Sequence, residues 1–505
     1  MKRRWLLFLL LLGVPTAAVA QAEATVTSGG FLERLDAIFT KLVEYLAVVL
    51  FFEIGDVPLI VLWLIAGAIF FTVRMGFINV RAFKHAFYVI AGHYDDPDEE
   101  GEVTHFQALA AALSATVGLG NIAGVAIAIT VGGPGAMVWM TLGGLFGMTS
   151  KFVECTLAQK YRISLPNGHV AGGPMYYLSQ GLAERGLRPL GQVLSVVFSI
   201  LCIGAAFGGG NMFQANQSHE ALKTAAEEFA FRGLVEQLDW IYGLVLAALV
   251  ALVIIGGIRR IGTVAASLVP SMCIIYVLSA AWILLVNIDQ VPSAVVTIVT
   301  EAFNPQAVEG GIIGIIVTGI QRSGFSNEAG IGSAAIAHAA ARTHEPVREG
   351  VVALLEPFID TVVICNMTAI VIVITGVYQD AEGLSGVKTT SAAFETVIGW
   401  FPVVLGLAIL LFAFSTMISW SYYGERAWTF LFGQGTSIVY RVLFVACVFI
   451  GSVVNLGAVL DFADMMLLSM AFPNMLGGFI LSGQVAADLK NYMDRLRDGT
   501  MPVFK

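Results

Sequence analysis

The amino-acid sequence predicts an all-α polytopic membrane protein: eleven membrane-crossing helices arranged as a 5+5 inverted repeat with two broken helices, plus one extra helix in front. Three observations carry that expectation. The 505 residues are 57% hydrophobic and only 12% charged, with a mean hydropathy of +0.82, against roughly 25% charged residues in ordinary soluble domains. Gly118-Leu-Gly-Asn-Ile-Ala-Gly-Val125 is echoed by Gly324-Phe-Ser-Asn-Glu-Ala-Gly-Ile331, sharing the frame G-x-x-N-x-A-G-aliphatic. Each copy interrupts an apolar stretch long enough to cross a bilayer, and an odd number of crossings separates the two.

The N-terminus reads as a bacterial secretory signal peptide over residues 1–20. Lys2-Arg3-Arg4 supply charge, Trp5 to Val14 an apolar core, and Ala18-Val19-Ala20 a small-residue cleavage site before Gln21. An uncleaved first helix is the alternative. Residues 21–56 form a periplasmic or interfacial segment. Within it Phe31, Leu35, Ile38, Leu42 and Leu46 recur at helical spacing beside Glu33, Arg34, Lys41 and Glu44, which describes an amphipathic helix lying on the membrane.

Runs of about 20 apolar residues then mark spans. The extra helix falls at 57–74. The first five-helix unit, 104–287, contains spans at 104–130, 134–159, 189–214, 239–258 and 262–287. The second, 308–485, contains 308–341, 349–376, 400–430, 436–455 and 460–485, and residues 486–505 are left as a cytoplasmic tail. The positive-inside rule orients them. With the N-terminus outside, Arg81, Lys84, Lys151, Lys160, Arg185, Arg259, Arg342, Arg426, Arg441 and the basic tail all fall inside, while Glu227, Glu228, Asp289 and Asp380 fall outside. A multi-pass protein of a bacterial inner membrane is expected, N-terminus out and C-terminus in. Five crossings between the motif copies make them enter from opposite faces, the mark of an inverted repeat with a binding site at its interface.

Breaking a helix inside hydrocarbon frees backbone N–H and C=O groups, tolerated only where they line a cavity or find partners. The half-helix starting near Asn121 offers N–H groups and a positive dipole end to a carboxylate. The half ending near Ala115-Thr116-Val117 offers carbonyls to Na⁺ or an ammonium group, and Gly118 and Gly120 permit close approach. Close helix packing of the small-xxx-small kind is the competing reading; it is preferred for Gly132 and Ala136, Gly143 and Gly147, and Gly204 and Gly208. The five cysteines are scattered singly through apolar segments, and the histidines lack metal-ligand spacing. Neither an enzyme constellation nor a basic stripe for nucleic acid is present.

Several motifs now give the chain a resemblance. Thr116–Ala126 (TVGLGNIAGVA) runs into Gly132-Gly-Pro-Gly-Ala136; further along come Gly172-Gly-Pro-Met-Tyr-Tyr177, Gly210-Asn-Met-Phe-Gln-Ala-Asn216, Ser326-Asn-Glu-Ala-Gly-Ile-Gly-Ser333 and Trp420-Ser-Tyr-Tyr-Gly424. Together they resemble the alanine or glycine:cation symporters (sodium:alanine symporters), which share the leucine-transporter-type fold of the amino acid-polyamine-organocation superfamily. Val117–Asn121 alone also occurs in neurotransmitter:sodium symporters. The resemblance spans about residues 57–490 and implies Na⁺-coupled import of small neutral amino acids, alanine or glycine, by alternating access. Membrane lipid is the only other partner expected, with no obligate protein partner. Leu119 stands where some relatives carry Thr, which leaves side-chain preference open.

The resemblance also implies roles for individual residues. Sodium would be held by Ser114, Val117, Phe412, Ser415 and Thr416; the competing reading has Ser415 and Thr416 bonding back one turn along their own helix. Substrate would meet Gly118, Leu119, Gly120, Asn121, Gly324, Phe325, Ser326, Thr416 and Trp420, with Trp420 limiting side-chain size or serving only as packing. Asn211 and Gln214 either reach substrate or cap a neighbouring carbonyl. Three charges inside spans are functional candidates by default. Arg322 and Glu328 flank the second break and Asp360 lies mid-way along the next helix; these charges are expected to brace the break, Arg322 at its orphan carbonyls and Glu328 at its orphan N–H groups, either singly or as a pair. The alternatives are that Glu328 or Asp360 titrates and couples protons, or that Arg322 pairs with the substrate carboxylate. A channel or sensor retaining the fold is the remaining alternative function.

Overall fold

Pro58 opens helix α1 (Leu59–Arg74), because its fixed φ suits a helix start and its missing N–H would have had no partner there. The computed structural model describes residues 52–504 apart from 56, 97, 166–167, 228–238, 305–310, 381–385 and 454–463, together with 41, 47 and 48. The expected signal peptide, nearly all of the amphipathic segment, and the acidic residue Glu228 lie outside the described residues.

The first motif lies between α2 (His105–Thr116) and α3 (Val125–Gly132), and α4 (Ala136–Lys160) follows. α5 (Arg188–Lys223) leads to α6 (Asp239–Ile254) and α7 (Gly257–Val286). The second motif separates α8 (Gly311–Asn327) from α9 (Ala334–His338). The chain then forms α10 (Pro346–Thr375), α11 (Phe401–Phe432), α12 (Ser437–Val453) and α13 (Ala471–Arg497). Among the described residues six helices are long and apolar enough to cross a membrane, and the bent pair α2–α3 makes a seventh. α1 and α6 are apolar but shorter.

Two boundaries differ from expectation. α5 continues well past residue 214, because Phe213–Glu227 keeps a helical register behind a π-helical turn at Gly208–Met212. Residues 486–497, expected as tail, extend α13, whose Val485, Leu489 and Tyr492 stay buried on one face. Short helices at Phe83–Ile90, Pro174–Glu184, Val291–Glu301 and Val387–Glu395 occupy stretches between the expected spans.

α1 is seated on α13 by aromatic rings. Trp63 and Phe70 meet Phe479 edge-on at 5.4 and 5.1 Å, and Phe71 stacks on it at 5.2 Å. α4 is the central helix of the packing around the second motif. A Cβ on Gly143 would lie 2.7 Å from Ser323 Oγ, one on Gly144 2.9 Å from Thr361 Cβ, and one on Gly147 2.8 Å from Ala329 Cβ. This run of missing side chains lets α4 lie against α8, α10 and the second break at once, as small residues do in membrane helix contacts. Gly147→Val is therefore expected to cost at least about 1–3 kcal/mol through overpacking. Melting of the detergent-purified protein should show a lower transition temperature than wild type; an unchanged transition would mean the contact yields freely.

Candidate functional site

The capping box Thr104/Gln107 fixes where α2 begins: Thr104 Oγ1 accepts from Gln107 N at 3.2 Å, and Gln107 Oε1 accepts from Thr104 N at 3.0 Å. α2 ends because Val117 turns extended, with φ −72° and ψ 108°. The next N–H, of Gly118, donates to Asn121 Oδ1 at 2.7 Å. The chain bends by 53° and passes through a π-helical turn, Gly120–Gly124, into α3.

The second break is built differently. α8 carries Ser326 and Asn327 in its last turn, and the chain then unwinds through Glu328 (φ 55°), Gly330 (φ 85°) and Gly332 (φ 91°). A left-handed conformation suits glycine but strains glutamate, so Glu328 is held there by its surroundings. Its carboxylate accepts from Ser333 Oγ across the loop. Asn327 Oδ1 accepts from Ala329 N at 3.0 Å, so each motif asparagine satisfies a freed N–H of its own break.

The same two asparagines converge on adjacent residues of α10. Asn121 Nδ2 donates to Asp360 Oδ1 at 2.6 Å, and Asn327 Nδ2 donates to Thr361 Oγ1 at 2.8 Å. Ser326 Oγ and Thr361 Oγ1 donate to Asp360 Oδ2 at 2.7 and 2.8 Å. Asp360 and Thr361 lie in a π-helical stretch, Phe358–Cys365, and both are fully buried. The hydrogen-bond donors around the Asp360 carboxylate are thus uncharged. Gly120 lies where the breaks touch: a Cβ there would stand 3.1 Å from Ser326 Cα.

A cavity of about 310 Å³ opens beside this junction. Gly118, Leu119 and Gly120 line it from the first break, Phe325 and Glu328 from the second. α11 contributes Thr416 and Trp420, and α5 contributes Gly209, Gly210 and Gln214. Gly210 has no room for a side chain because the Trp420 ring occupies that space. Trp420 is braced in turn by Tyr423, ring to ring at 5.3 Å. A second cavity of about 370 Å³ shares Ala123, Ile127 and Phe213 with the first and reaches Glu220 and Lys388.

Behind the cavity, α2 and α11 exchange hydrogen bonds deep in the protein. Ser114 Oγ donates to Ser415 O at 2.6 Å, while Ser415 Oγ and Thr416 Oγ1 each donate to Ser114 O at 3.2 Å. Ser415 Oγ also lies 2.9 Å from Phe412 O one turn back, whereas Thr416 turns across to α2. With Val117 at the end of α2, this gathers hydroxyl and carbonyl oxygens, the hard ligands an alkali cation takes.

The remaining sequence-singled residues are spread more widely. Asn211 is fully buried and donates to Phe444 O of α12 at 2.8 Å, outside the cavity lining. Gln214 lines the cavity and donates to Gly209 O at 3.0 Å, and among the described residues its buried Oε1 has no partner. Gly324 faces Leu64 of α1. Asn121 Nδ2 and Ser326 Oγ are directed to Asp360, and both residues lie outside the cavity lining. Arg322 stacks over Phe325 at 5.8 Å and shares the cavity with Asp464, while Glu328 takes Ser333; among the described residues no ion pair joins Arg322 to Glu328. Sequence reasoning missed Asp464 and the Gly209-Gly210 wall. A signal existed for the wall in the three successive glycines, 208–210, inside an apolar span.

Comparison with known proteins gives a consistent result. The chain is 40% identical over 438 residues to the sodium/alanine symporter AgcS of Methanococcus maripaludis, covering 86% of this chain and 94% of that one. It is 37% identical to the amino-acid carrier protein AlsT of Bacillus subtilis over 445 residues, 88% of this chain and 91% of the relative. Among solved structures, MhsT in complex with L-phenylalanine superposes with a TM-score of 0.52 at 16% identity, covering 76% of this chain and 89% of that chain, which shows a shared fold. The model of the sodium:alanine symporter family matches residues 38–505, and the chain belongs to that family of multi-pass membrane transporters.

Proposed function

We propose that this protein is a Na⁺-coupled symporter that imports alanine, glycine or a similarly small neutral amino acid by alternating access. On this reading eleven helices cross a bacterial inner membrane with the N-terminus outside, and 104–287 and 308–485 are inverted five-helix units. The observation that carries it is the junction of the two asparagine-bearing breaks with one small cavity. Substrate carboxylate would meet the π-helical turn at Gly120–Gly124, and its ammonium group Gln214 Oε1, which has no partner among the described residues. The side chain would point at Trp420, which lines the cavity.

Na⁺ would travel as cargo, held between α2 and α11 by oxygens of Ser114, Val117, Phe412, Ser415 and Thr416. The donor set supports this: two hydroxyls already share one carbonyl there, and a cation drawing them off would tie α11 to the end of α2. The adjoining cavity supports entry from the face that carries Glu220 and Lys388. Asp360 favours a second reading. A fully buried carboxylate among uncharged donors is costly in its ionised form, so it would titrate, and a proton would replace or accompany Na⁺.

In proteoliposomes an imposed inward Na⁺ gradient is expected to drive accumulation of labelled alanine. Uptake independent of Na⁺ but driven by a pH gradient alone would replace sodium coupling with the Asp360 reading. Thr416→Ala should raise the Na⁺ concentration for half-maximal uptake about tenfold, the equivalent of ~1.4 kcal/mol; unchanged Na⁺ activation would remove Thr416 from the ion site. Trp420→Leu should improve uptake of leucine relative to alanine by about tenfold or more, the scale of a methylene-sized change in a pocket. A competition panel in which preference stays unaltered would leave Trp420 as packing only.

A further inference from the structure

Three helix ends meet on the face that the proposed orientation assigns to the cytoplasm. α11 ends at Phe432, Gly433 (φ 93°) turns the chain, and α12 starts at Ser437. α5 starts at Arg188, directly after the short helix Pro174–Glu184. Residues from these ends enclose a cavity of about 570 Å³ that shares no lining residue with the substrate cavity.

Its level in the molecule is the edge of the membrane. Trp428, one turn before the end of α11, donates from Nε1 to Thr436 Oγ1 at 3.0 Å, which suits an aromatic residue with one wet side and one apolar side. Along the chain from the lining residues, Leu190 and Val193 of α5 expose apolar side chains three residues apart. Ile438 and Val442 of α12 do the same four residues apart. Both helices are long and apolar enough to cross a membrane, so these exposed faces meet acyl chains.

The cavity is lined in two tiers. Its floor is apolar: Tyr176 and Phe430 meet edge to face at 5.2 Å, and both are buried, as is Leu431. Its rim is polar, with amides from Gln180, Gln192 and Gln434 and the guanidinium of Arg188. Among the described residues none of these four side chains has a hydrogen-bond or ion-pair partner. No carboxylate among the described residues lines the cavity, and Glu184 on the adjoining short helix accepts from Tyr161 Oη at 2.7 Å instead.

That combination selects a ligand class. A small soluble anion would meet Arg188 and leave the aromatic floor unused. A neutral lipid would leave the guanidinium unanswered, and a zwitterionic head brings a cationic group for which the lining offers no carboxylate. A phosphodiester carried on acyl chains and lacking a cation satisfies the whole site. The guanidinium fork takes two phosphate oxygens, the amides donate to the other head oxygens, and the chains lie along the exposed helix faces.

We propose that this cavity is a binding site for an anionic phospholipid, with Arg188 holding the headgroup phosphate. The inference goes beyond the transport reading and holds whichever amino acid or ion the protein carries. The lipid would sit against the end of α11, the helix that also carries Thr416 and Trp420 into the substrate cavity.

The test is to titrate the detergent-purified full chain with dioleoyl-phosphatidylglycerol, dioleoyl-phosphatidylcholine or inorganic phosphate, reading binding by native mass spectrometry and stability by melting. Phosphatidylglycerol is expected to bind about fivefold more tightly than phosphatidylcholine, the effect of one basic contact at a membrane surface, and to raise the melting transition. Inorganic phosphate should leave the transition where it is. Arg188→Glu should abolish the preference for phosphatidylglycerol. Arg185→Glu, which reverses an exposed charge three residues away outside the cavity lining, should keep it. Arg188 is exposed, so its variants are expected to fold, and Arg188→Gln decides the matter if the reversed charge does not. Equal loss of preference in the two charge reversals would reveal diffuse surface charge in place of a site and overturn the proposal. So would equal affinity of the wild type for the two lipids, or stabilisation by inorganic phosphate that matches phosphatidylglycerol.

Discussion

The structure turns on how two asparagines dispose of a backbone that has been broken inside an apolar environment. Freed N–H groups cost several kcal/mol each where water is absent. Asn121 and Asn327 each use the side-chain oxygen on their own break, and each has an amide nitrogen left to give. Those nitrogens go to Asp360 and Thr361, neighbours on one π-helical stretch of α10. A π-helical turn spreads adjacent side chains and misses some of its own backbone bonds, a departure often found at functional sites. The local repair of two separate breaks therefore also fixes their mutual position, and the cavity lies beside that contact.

Charge is distributed around this junction unevenly. Glu349, His105, His338, Glu356, Lys151 and Glu154 are all buried, yet they are grouped on α2, α4, α9 and α10 away from the cavity. Removing one partner from such a buried pair commonly costs roughly 3–5 kcal/mol, whereas the intact pair adds little net stability over apolar packing. A network of this kind therefore holds geometry more than it holds the fold together. Arg322, Glu328 and Asp464, by contrast, face the cavity itself.

Much of this architecture was legible in the sequence because it is written in local patterns. Glycines flanking an asparagine inside an apolar run mark a break, and two adjacent hydroxyls at Ser415 and Thr416 mark a polar need inside a helix. The i, i+4 spacing of Thr416 and Trp420 puts both on one face, and both line the cavity. What could not be read depends on contacts between distant segments. Glu349 and His105 are far apart in sequence, as are Lys151 and Glu356, and no spacing rule pairs them. Arg322 and Glu328 flank one break and both line the cavity, but Arg322 lies over the Phe325 ring and Glu328 takes Ser333, partners that no spacing rule assigns. Asn211 and Gln214 looked equivalent three residues apart, yet the π-helical turn at Gly208–Met212 sends one amide to α12 and leaves the other at the cavity.

The two motif copies are not equivalent in what they can do, and their difference follows from single residues. In the first, Gly120 leaves room for Ser326, and the helix resumes at once after a 53° bend. Its side-chain anchors are Asn121 and Thr390, whose Oγ1 donates to Ile122 O at 2.8 Å. In the second, Glu328 occupies a strained left-handed conformation, Ser333 holds its carboxylate, and Asn474 holds Gly330 O. That loop is fixed from three sides, so strain there is maintained by its neighbours rather than relieved locally. The first break is a bend between two helical segments, and the second a non-helical loop held by its neighbours.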